Sequence, residues 1–246
     1  MNFKGKTALV TGAAGGIGKS ITGKLMAKGC QVAVTDYDTS EVTATAHFDG
    51  DLLNADFCNT LPRRVANQLG KIDILCNNAG VITRGDITSA SDADFDLSFG
   101  VNVKAPFQLC RATIPIMASQ GGGAIINTCS CWGLRPGPNH PIYIASKAAL
   151  ASLTQCLGRD HAHQKIRVNA ISPGPMRTLA GAAIGGARKT FRTTEQNAPL
   201  RSNATLESVG GTAVHLASDY GADTTGEIIR VDGGYHVLGM SQPENL

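Results

Sequence analysis

The 246 residues are 42% hydrophobic and 17% charged, which suits one sheet-based domain with a sizeable core and excludes a disordered chain. The 29 glycines follow no Gly-X-Y period, so they point to tight turns and close backbone approaches rather than collagen. A scattered net charge of +3 argues against a nucleic-acid partner, and no apolar run reaches the roughly 18 residues of a membrane span. Met1–Lys6 has no apolar h-region, so no signal peptide is expected. The seven cysteines form no Cys-x-x-Cys and are expected to be reduced thiols in a cytoplasmic protein.

Short apolar runs alternate with longer helical patterns. Thr7–Val10 is expected to be a strand, and Gly16–Lys28 a helix with Ile17, Ile21, Leu25 and Met26 at helical spacing. Val32–Thr35 and, more weakly, Thr43–Phe48 follow as strands, with little room between them for a crossover helix. Leu61–Leu69 is expected to be a helix with Thr60 as N-cap and Pro62 in its first turn. Ile72–Cys76 is a fourth strand, and Ser91 with Asp94 resembles a capping box opening a helical region to about Ser119, strained by Pro106 and Pro115. Ala124–Thr128, Ile166–Ile171 and Glu227–Val231 are further strands, and Ile142–His163 and Ser208–Ser218 further helices. The strands are continuous apolar runs, as a parallel sheet buried on both faces requires. The expectation is a single-domain α/β fold over residues 1–246, with about seven strands flanked by helices and a lid at about residues 175–201.

The first strand runs into Thr11-Gly12-Ala13-Ala14-Gly15-Gly16-Ile17-Gly18 and then a helix. Unpaired N–H groups and the helix dipole favour a pyrophosphate there, although the spacing differs from Gly-x-Gly-x-x-Gly. Asp36 ends the second strand 18 residues after Gly18, where a carboxylate can accept hydrogen bonds from ribose hydroxyls and repel a 2′-phosphate. Tyr37 and Asp38 follow in place of an arginine, and Lys19 is the one nearby cation, so NAD is expected over NADP.

Tyr143 and Lys147 stand four apart on a helix, so the ammonium can sit beside the phenol and lower its pKa. Ser130 follows the fifth strand, where its hydroxyl could hold a substrate oxygen, and Asn102 is an amide among apolar residues. With these residues in place, the chain resembles the short-chain dehydrogenase/reductase family over essentially its full length. The matching marks are Thr11–Gly18, Asp51-Leu52, Asn77-Asn78-Ala79-Gly80, Asn102, Ser130, Tyr143 to Lys147, Pro173-Gly174 with Thr178, and Val231 to Gly234.

The resemblance implies a doubly wound Rossmann-type fold. It makes Tyr143 the general acid/base, Lys147 its electrostatic partner and ribose ligand, Ser130 the group orienting the reacting oxygen, and Asn102 the holder of a relay water. Gly12, Gly15, Gly16, Ile17, Gly18 and Asp36 would bind the dinucleotide. So would Asp51 and Leu52 around the adenine, Asn78, Ala79 and Gly80 near the adenosine ribose, and Pro173, Gly174, Met176 and Thr178 toward the nicotinamide. A homo-oligomer, tetramer or dimer, is also implied. Ala198 to Gly234 further resembles the enoyl reductases of the superfamily, which place their tyrosine and lysine further apart.

Arg84, Cys131, Trp132, Leu134, Arg135, His140 and Arg177 are expected around the substrate. Residues 175–201 carry five basic groups against the single acid Glu195, so an anionic substrate is one reading, and solvated or paired arginines are another. Cys129 and Cys131 offer too few ligands for a metal, and none is expected. For His161 and His163 the plainer account is charge–dipole stabilisation of a helix end. The resulting expectation is an NAD-dependent oxidoreductase interconverting a secondary alcohol and a ketone on a small polar substrate, anionic in one of the two readings of the arginines. The alternatives are a 3-oxoacyl-thioester reductase and, from another class, a non-catalytic NAD-binding sensor.

Overall fold

The computed structural model describes residues 1–176, 195–196 and 198–237. Strands β1 (Thr7–Thr11), β2 (Gln31–Thr35), β3 (Ala46–His47), β4 (Ile74–Asn77), β5 (Gly123–Thr128), β6 (Ile166–Pro173) and β7 (Ile228–Val231) form one sheet in the order β3-β2-β1-β4-β5-β6-β7. Every pairing is parallel.

Successive side chains of a strand point to opposite faces, and both faces here are covered. Ala8 and Val10 of β1 pack with Ile21 and Leu25 of α1 (Gly16–Met26) and with Val209 and Val214 of α7 (Leu206–Ala217). Leu9 between them packs on the other face, with Leu61 and Val65 of α2 (Ala55–Leu69) and Leu109 and Met117 of α4 (Ala105–Ser119). The same alternation in β5 sends Ala124 and Ile126 to the first layer and Ile125 to the second. The doubly wound, seven-stranded expectation therefore matches the structure.

The chain runs outward from β1 to β3 in one direction and from β4 to β7 in the other. The strand order thus reverses between β1 and β4, and a crevice opens at the carboxyl ends of the strands there.

Three elements depart from the sequence expectation. Helix α2 begins at Ala55, not Leu61. The Asn54 side chain accepts from the N–H groups of Asp56 and Phe57, and Asp56 adds a negative charge to the first turn. Thr60 is therefore no N-cap; its hydroxyl donates to the Asp56 carbonyl inside the helix, and Pro62 lies two turns in. The weak third strand shrinks to Ala46–His47 at the sheet edge, and residues 36–45 return without a helix.

The long region after Ser91 is interrupted rather than continuous. Its capping box opens α3 (Asp92–Phe99), a π-turn spans Gly100–Lys104, and α4 then begins. Pro106 falls in the first turn of α4, where its missing N–H costs little, so the wider turn absorbs the strain. Asn102 sits in that π-turn, fully buried.

Helix α6 (Pro141–Asp160) ends in a short 3-10 turn (Ala162–Gln164). There His161 Nδ1 bonds Gln164 Oε1 at 2.9 Å, a local hydrogen bond at the helix end. The short helix α5 (Cys131–Leu134) is capped by Ser130. Among the described residues no helix is long and apolar enough to cross a membrane.

Candidate active site

A cleft of about 340 Å³ opens where the strand order reverses. It receives the chain just after β1, β2, β4, β5 and β6 in turn: Gly12, Asp36, Asn78, Ser130 and Gly174 all line it.

The turn after β1 has a reason for its glycines. Gly12 has φ +63°, and a Cβ there would lie 2.6 Å from the Ala79 Cα. A Cβ at Gly18 would run into the Gly12 carbonyl, so Gly18 tightens the turn without itself lining the cleft. No side chain caps α1, and Gly15, Gly16 and Ile17 line the cleft at its N-terminus. That is a cradle of bare backbone at a positive helix end, and it fits a dinucleotide pyrophosphate.

Asn78 fastens this turn. Its Nδ2 donates to the carbonyls of Thr11 and Gly12 at 3.1 and 3.0 Å, while Thr11 Oγ1 accepts from the N–H groups of Asn78 and Ala79. The Asn78 side chain is thus spent on scaffold, and Gly80 and Ala79 offer backbone to the cleft.

At the far end the Asp36 carboxylate is oriented by two backbone donors, Ala14 N–H at 3.0 Å and Tyr37 N–H at 2.9 Å. Leu52 lines the cleft, whereas Asp51 stands beside it and accepts from the Tyr37 hydroxyl at 3.1 Å. Pro173, Gly174 and Met176 line the cleft as expected, and Thr178 and Arg177 lie outside the described residues.

At the other end Ser130, Tyr143 and Lys147 line one wall. Tyr143 and Lys147 share a face of α6 near its N-terminus, and both are buried. Burial pushes the Tyr143 phenol up to about 12, with the neighbouring Ser130 hydroxyl pulling the other way. Burial pushes the Lys147 ammonium down to about 8. The expected lowering of the Tyr143 pKa by Lys147 is therefore not what dominates here. Desolvation sets the direction of both shifts, because both groups are buried. Lys147 Nζ donates to the Thr128 carbonyl at 2.8 Å, which holds the long side chain across the end of β5.

Asn102 does not line the cleft. Its Oδ1 accepts from Val81 N–H at 3.0 Å, and its Nδ2 donates to the Val81 carbonyl and to Ser146 Oγ. Ser146 in turn donates to the Tyr143 carbonyl at 2.7 Å. The π-turn, the end of β4 and the first turn of α6 are tied together through two buried side chains. The sequence reading did not single out Ser146; its place one residue before Lys147 was the available signal. A Cβ at Gly80 would stand 3.1 Å from both Asn102 Oδ1 and Lys147 Nζ, so glycine keeps that approach open.

The expected substrate residues divide. Trp132 and Cys131 line the cleft. His140 is buried behind Trp132, with ring centroids 4.9 Å apart and Nδ1 bonded to the Pro138 carbonyl, so it braces the tryptophan instead of facing the cleft. Arg84 and Arg135 are exposed and absent from the lining. Arg135 instead donates to the carbonyls of Tyr235 and His236 at 3.3 and 3.5 Å. The lining also holds the apolar side chains of Val81, Ile82 and Met176; from the stretch after Gly80, expected near the substrate, the sequence had singled out Arg84 alone. Burial pushes the Cys129 and Cys131 thiols up to about 11 and 12, which makes them poor thiolates.

A buried tyrosine–lysine pair, a serine at the end of β5 and a glycine cradle at the crevice of a doubly wound sheet together define a nucleotide-dependent oxidoreductase site. Comparison with known proteins agrees. A family model described as Enoyl-(Acyl carrier protein) reductase matches residues 12–236. The NADH-dependent enoyl-(acyl-carrier-protein) reductase FabI of Nostoc sp. is 33% identical, covering 98% of this chain and all of its own. The 3-oxoacyl-(acyl-carrier-protein) reductase FabG of Thermotoga maritima is 31% identical, covering 95% of this chain and 99% of its own.

Among solved structures, Thermoplasma acidophilum aldohexose dehydrogenase superposes with a TM-score of 0.91 at 26% identity, over 98% of each chain. Pseudomonas aeruginosa RhlG, solved with NADP, does so with a TM-score of 0.87 at 26% identity, over 96% of this chain and 98% of that one. The chain belongs to the short-chain dehydrogenase/reductase family of oxidoreductases.

Proposed function

We propose that this protein is an NAD-dependent dehydrogenase that interconverts a secondary alcohol and a ketone on a small polar compound. The observation that carries the reading is that Tyr143 and Ser130 line one wall of the cleft, with Tyr143 buried and the buried Lys147 one helical turn away. A phenol beside a hydroxyl in a dry wall suits proton exchange with a carbonyl or carbinol oxygen.

The dinucleotide would be held by Gly12, Gly15, Gly16, Ile17, Asp36, Leu52, Ala79, Gly80 and Gly174, and when bound its nicotinamide supplies the hydride chemistry. Ser130 holds the reacting oxygen and Tyr143 gives it a proton in reduction or takes one in oxidation. With its pKa near 12 the phenol is protonated at neutral pH and is ready to act as the acid. Below about pH 8 Lys147 carries a charge that stabilises the phenolate left behind. Asn102 and Ser146 fix the first turn of α6, so both side chains meet the substrate oxygen in register.

Asp36 supports NAD over NADP, because a 2′-phosphate beside an oriented carboxylate pays for like-charge repulsion. Lys147 is the one cation of the described lining, and four of the five basic residues of 175–201 that suggested an anionic substrate lie outside the described residues. Trp132, braced by His140, offers a flat apolar face that suits the C–H face of a sugar-like ring.

The second reading is a 3-oxoacyl-thioester reductase, favoured by the apolar side chains Val81, Ile82 and Met176 in the lining. The four-residue step from Tyr143 to Lys147 favours carbonyl chemistry over reduction of a double bond. A homo-oligomer is supported by an exposed apolar face on α3 and α4, where Phe95 is 48% and Phe107 44% exposed beside Leu53 and Leu97. Seven free thiols, six of them buried, suit the reducing cytoplasm.

The test is cofactor reduction or oxidation followed by ultraviolet absorbance with NAD and NADP, across sugars, diols, hydroxy acids and 3-oxoacyl thioesters. NAD-linked turnover of a sugar-like alcohol that Tyr143→Phe abolishes is the expected result. Turnover of the thioester alone would install the second reading. A wild-type protein that binds NADH yet turns over none of these compounds would favour the non-catalytic binding module.

A further inference from the structure

Of the lysine, arginine, aspartate and glutamate residues among those described, two are buried: Lys147 and Asp232, each 4% exposed. The dehydrogenase reading uses the lysine and leaves the aspartate without a part. Burying a charge is costly unless it is paired or hydrogen-bonded, so the place of the second one is informative. Asp232 follows β7, whose Val231 pairs with Pro173 at the end of β6. Gly174 N–H donates to the Val231 carbonyl at 2.9 Å, and a Cβ on Gly174 would lie 2.7 Å from the Asp232 Cβ. Gly174 lines the cleft and Asp232 does not, so the aspartate stands behind the strand end that the nicotinamide would meet. Asp36, at the adenosine end, supplies the one carboxylate of the described lining.

The Asp232 carboxylate is held purely as an acceptor. Its Oδ1 accepts from Gly234 N–H at 3.0 Å, its Oδ2 accepts from His236 N–H at 3.1 Å, and His236 Nδ1 stands 2.9 Å from Oδ2. Every partner is a donor, the pattern of an ionised carboxylate. The imidazole offsets that charge only when it is protonated. While it is neutral, the pair carries one negative charge. Arg135, a cation packed on the same turn, is exposed and turns its guanidinium to the carbonyls of Tyr235 and His236. The field of the aspartate reaches the cleft. Burial first, and then the Asp232 charge, push the Cys131 thiol up to about 12, and Cys131 lines the cleft beside Ser130. A carboxylate that only tied the turn would account for its hydrogen bonds, but not for a buried charge felt at the reacting wall.

We infer that Asp232 sets the balance between the oxidised and reduced cofactor, its buried charge favouring the positively charged nicotinamide ring of NAD⁺ over the neutral ring of NADH. The inference rests on the dinucleotide reading of this cleft. The two redox forms differ by one positive charge on that ring, so an anion behind Gly174 discriminates between them without touching either. A charge in a dry wall is weakly screened and acts over a longer range than one in water. Stabilising the bound oxidised form makes bound NADH the stronger hydride donor, which tilts the site toward reduction of the ketone.

The experiment is isothermal titration of the full chain with NAD⁺ and with NADH, on the wild type, Asp232→Asn, His236→Lys and His236→Gln. The titrations are run at about pH 8, above the ordinary range of an imidazole. Asp232→Asn removes the charge. His236→Lys leaves the carboxylate in place and sets a permanent cation beside it, whereas His236→Gln keeps a neutral donor there. The expected result is about a tenfold rise in the ratio of the NAD⁺ Kd to the NADH Kd in Asp232→Asn and in His236→Lys. A tenfold rise moves the midpoint of the bound two-electron couple about 30 mV positive. The ratio should stay within about twofold of the wild type in His236→Gln. Equal losses of affinity for both forms in Asp232→Asn would overturn the inference and leave Asp232 an anchor of its turn. Where Asp232→Asn fails to fold, as its thermal midpoint shows, His236→Lys decides, and an unchanged ratio there overturns the inference. Failure of the wild type to bind either form would overturn the dinucleotide reading with it.

Discussion

The two ends of the cleft are built on opposite principles. At the reacting end Tyr143, Lys147 and Asn102 are almost fully buried, and desolvation moves the tyrosine up to about 12 and the lysine down to about 8. At the adenosine end Asp36 is half-buried and Tyr37 exposed, and the work is done by fixed orientation near water. A charge in a dry wall is worth far more than one beside solvent. Single substitutions at the reacting end should therefore cost orders of magnitude in rate, and those at the adenosine end modest factors in affinity.

Tyr143→Phe gives the largest expected effect. It keeps the ring and its packing but removes the proton carrier, so kcat should fall about 1,000-fold with the Kd for NADH unchanged. Steady-state kinetics paired with a binding titration checks this; a tenfold fall or less would place the proton elsewhere.

Gly12→Ala tests the cradle that joins the two ends. The residue has φ +63° and its new Cβ would press on the Ala79 backbone. A left-handed non-glycine costs about 1–2 kcal/mol before the clash is counted, so a stability loss of about 2–4 kcal/mol is expected. Chemical denaturation measures it. Gly23→Ala in the exposed side of α1, with open space around its Cβ, is the matched control and should gain about 0.5–1 kcal/mol.

Asp36→Asn sharpens the comparison from the exposed side. It removes the carboxylate charge but keeps the acceptor for Ala14 N–H, so the preference for NAD over NADP should shrink at least tenfold. The ratio of kcat/KM for the two cofactors reads it directly, and the shift should weaken with added salt.

The pH profile separates the two ends again. The Lys147 pKa is depressed to about 8, so the ammonium is present below that pH and lost above it. Reduction of the ketone should hold level up to about pH 8 and then fall about tenfold per unit, because the phenolate loses its counter-charge. Lys147→Arg, which stays charged, should carry the level region beyond pH 9 at a lower kcat. A wild-type profile level to pH 10 would mean the ammonium is not needed.

The reacting end was the more legible in the sequence, because helical spacing and strand-end position place Tyr143, Lys147 and Ser130 with no knowledge of distant contacts. The glycine turn was legible for the same reason. What escaped depended on partners far along the chain. The start of α2 was missed because Asn54-Ala55-Asp56 carries no apolar periodicity, while Pro62 imitates a first turn. Gly100 and Pro106 bracket the π-turn in sequence, but its wider hydrogen-bond step, which buries Asn102, follows from packing against Val81 and Ser146. His140 could be placed near the substrate by its position before Tyr143, yet only the fold shows that its ring lies behind Trp132.

Arg135 makes that limit quantitative, and its removal is the smallest effect expected. Composition pointed to the arginines as anion ligands, but a count of charge carries no direction. The Arg135 guanidinium turns to the carbonyls of Tyr235 and His236, a hundred residues away in the chain. That turn is anchored separately, since the buried Asp232 carboxylate accepts from Gly234 N–H, His236 N–H and the His236 ring. Arg135→Ala therefore removes two long, partly solvated hydrogen bonds from a turn that keeps its other ties. The cost should be under about 1 kcal/mol of stability, with kcat/KM for neutral and anionic alcohols both within twofold of the wild type. A selective loss of activity toward the anionic alcohol would show that the guanidinium leaves those carbonyls for the substrate, and would support the charged site that was one reading of the sequence.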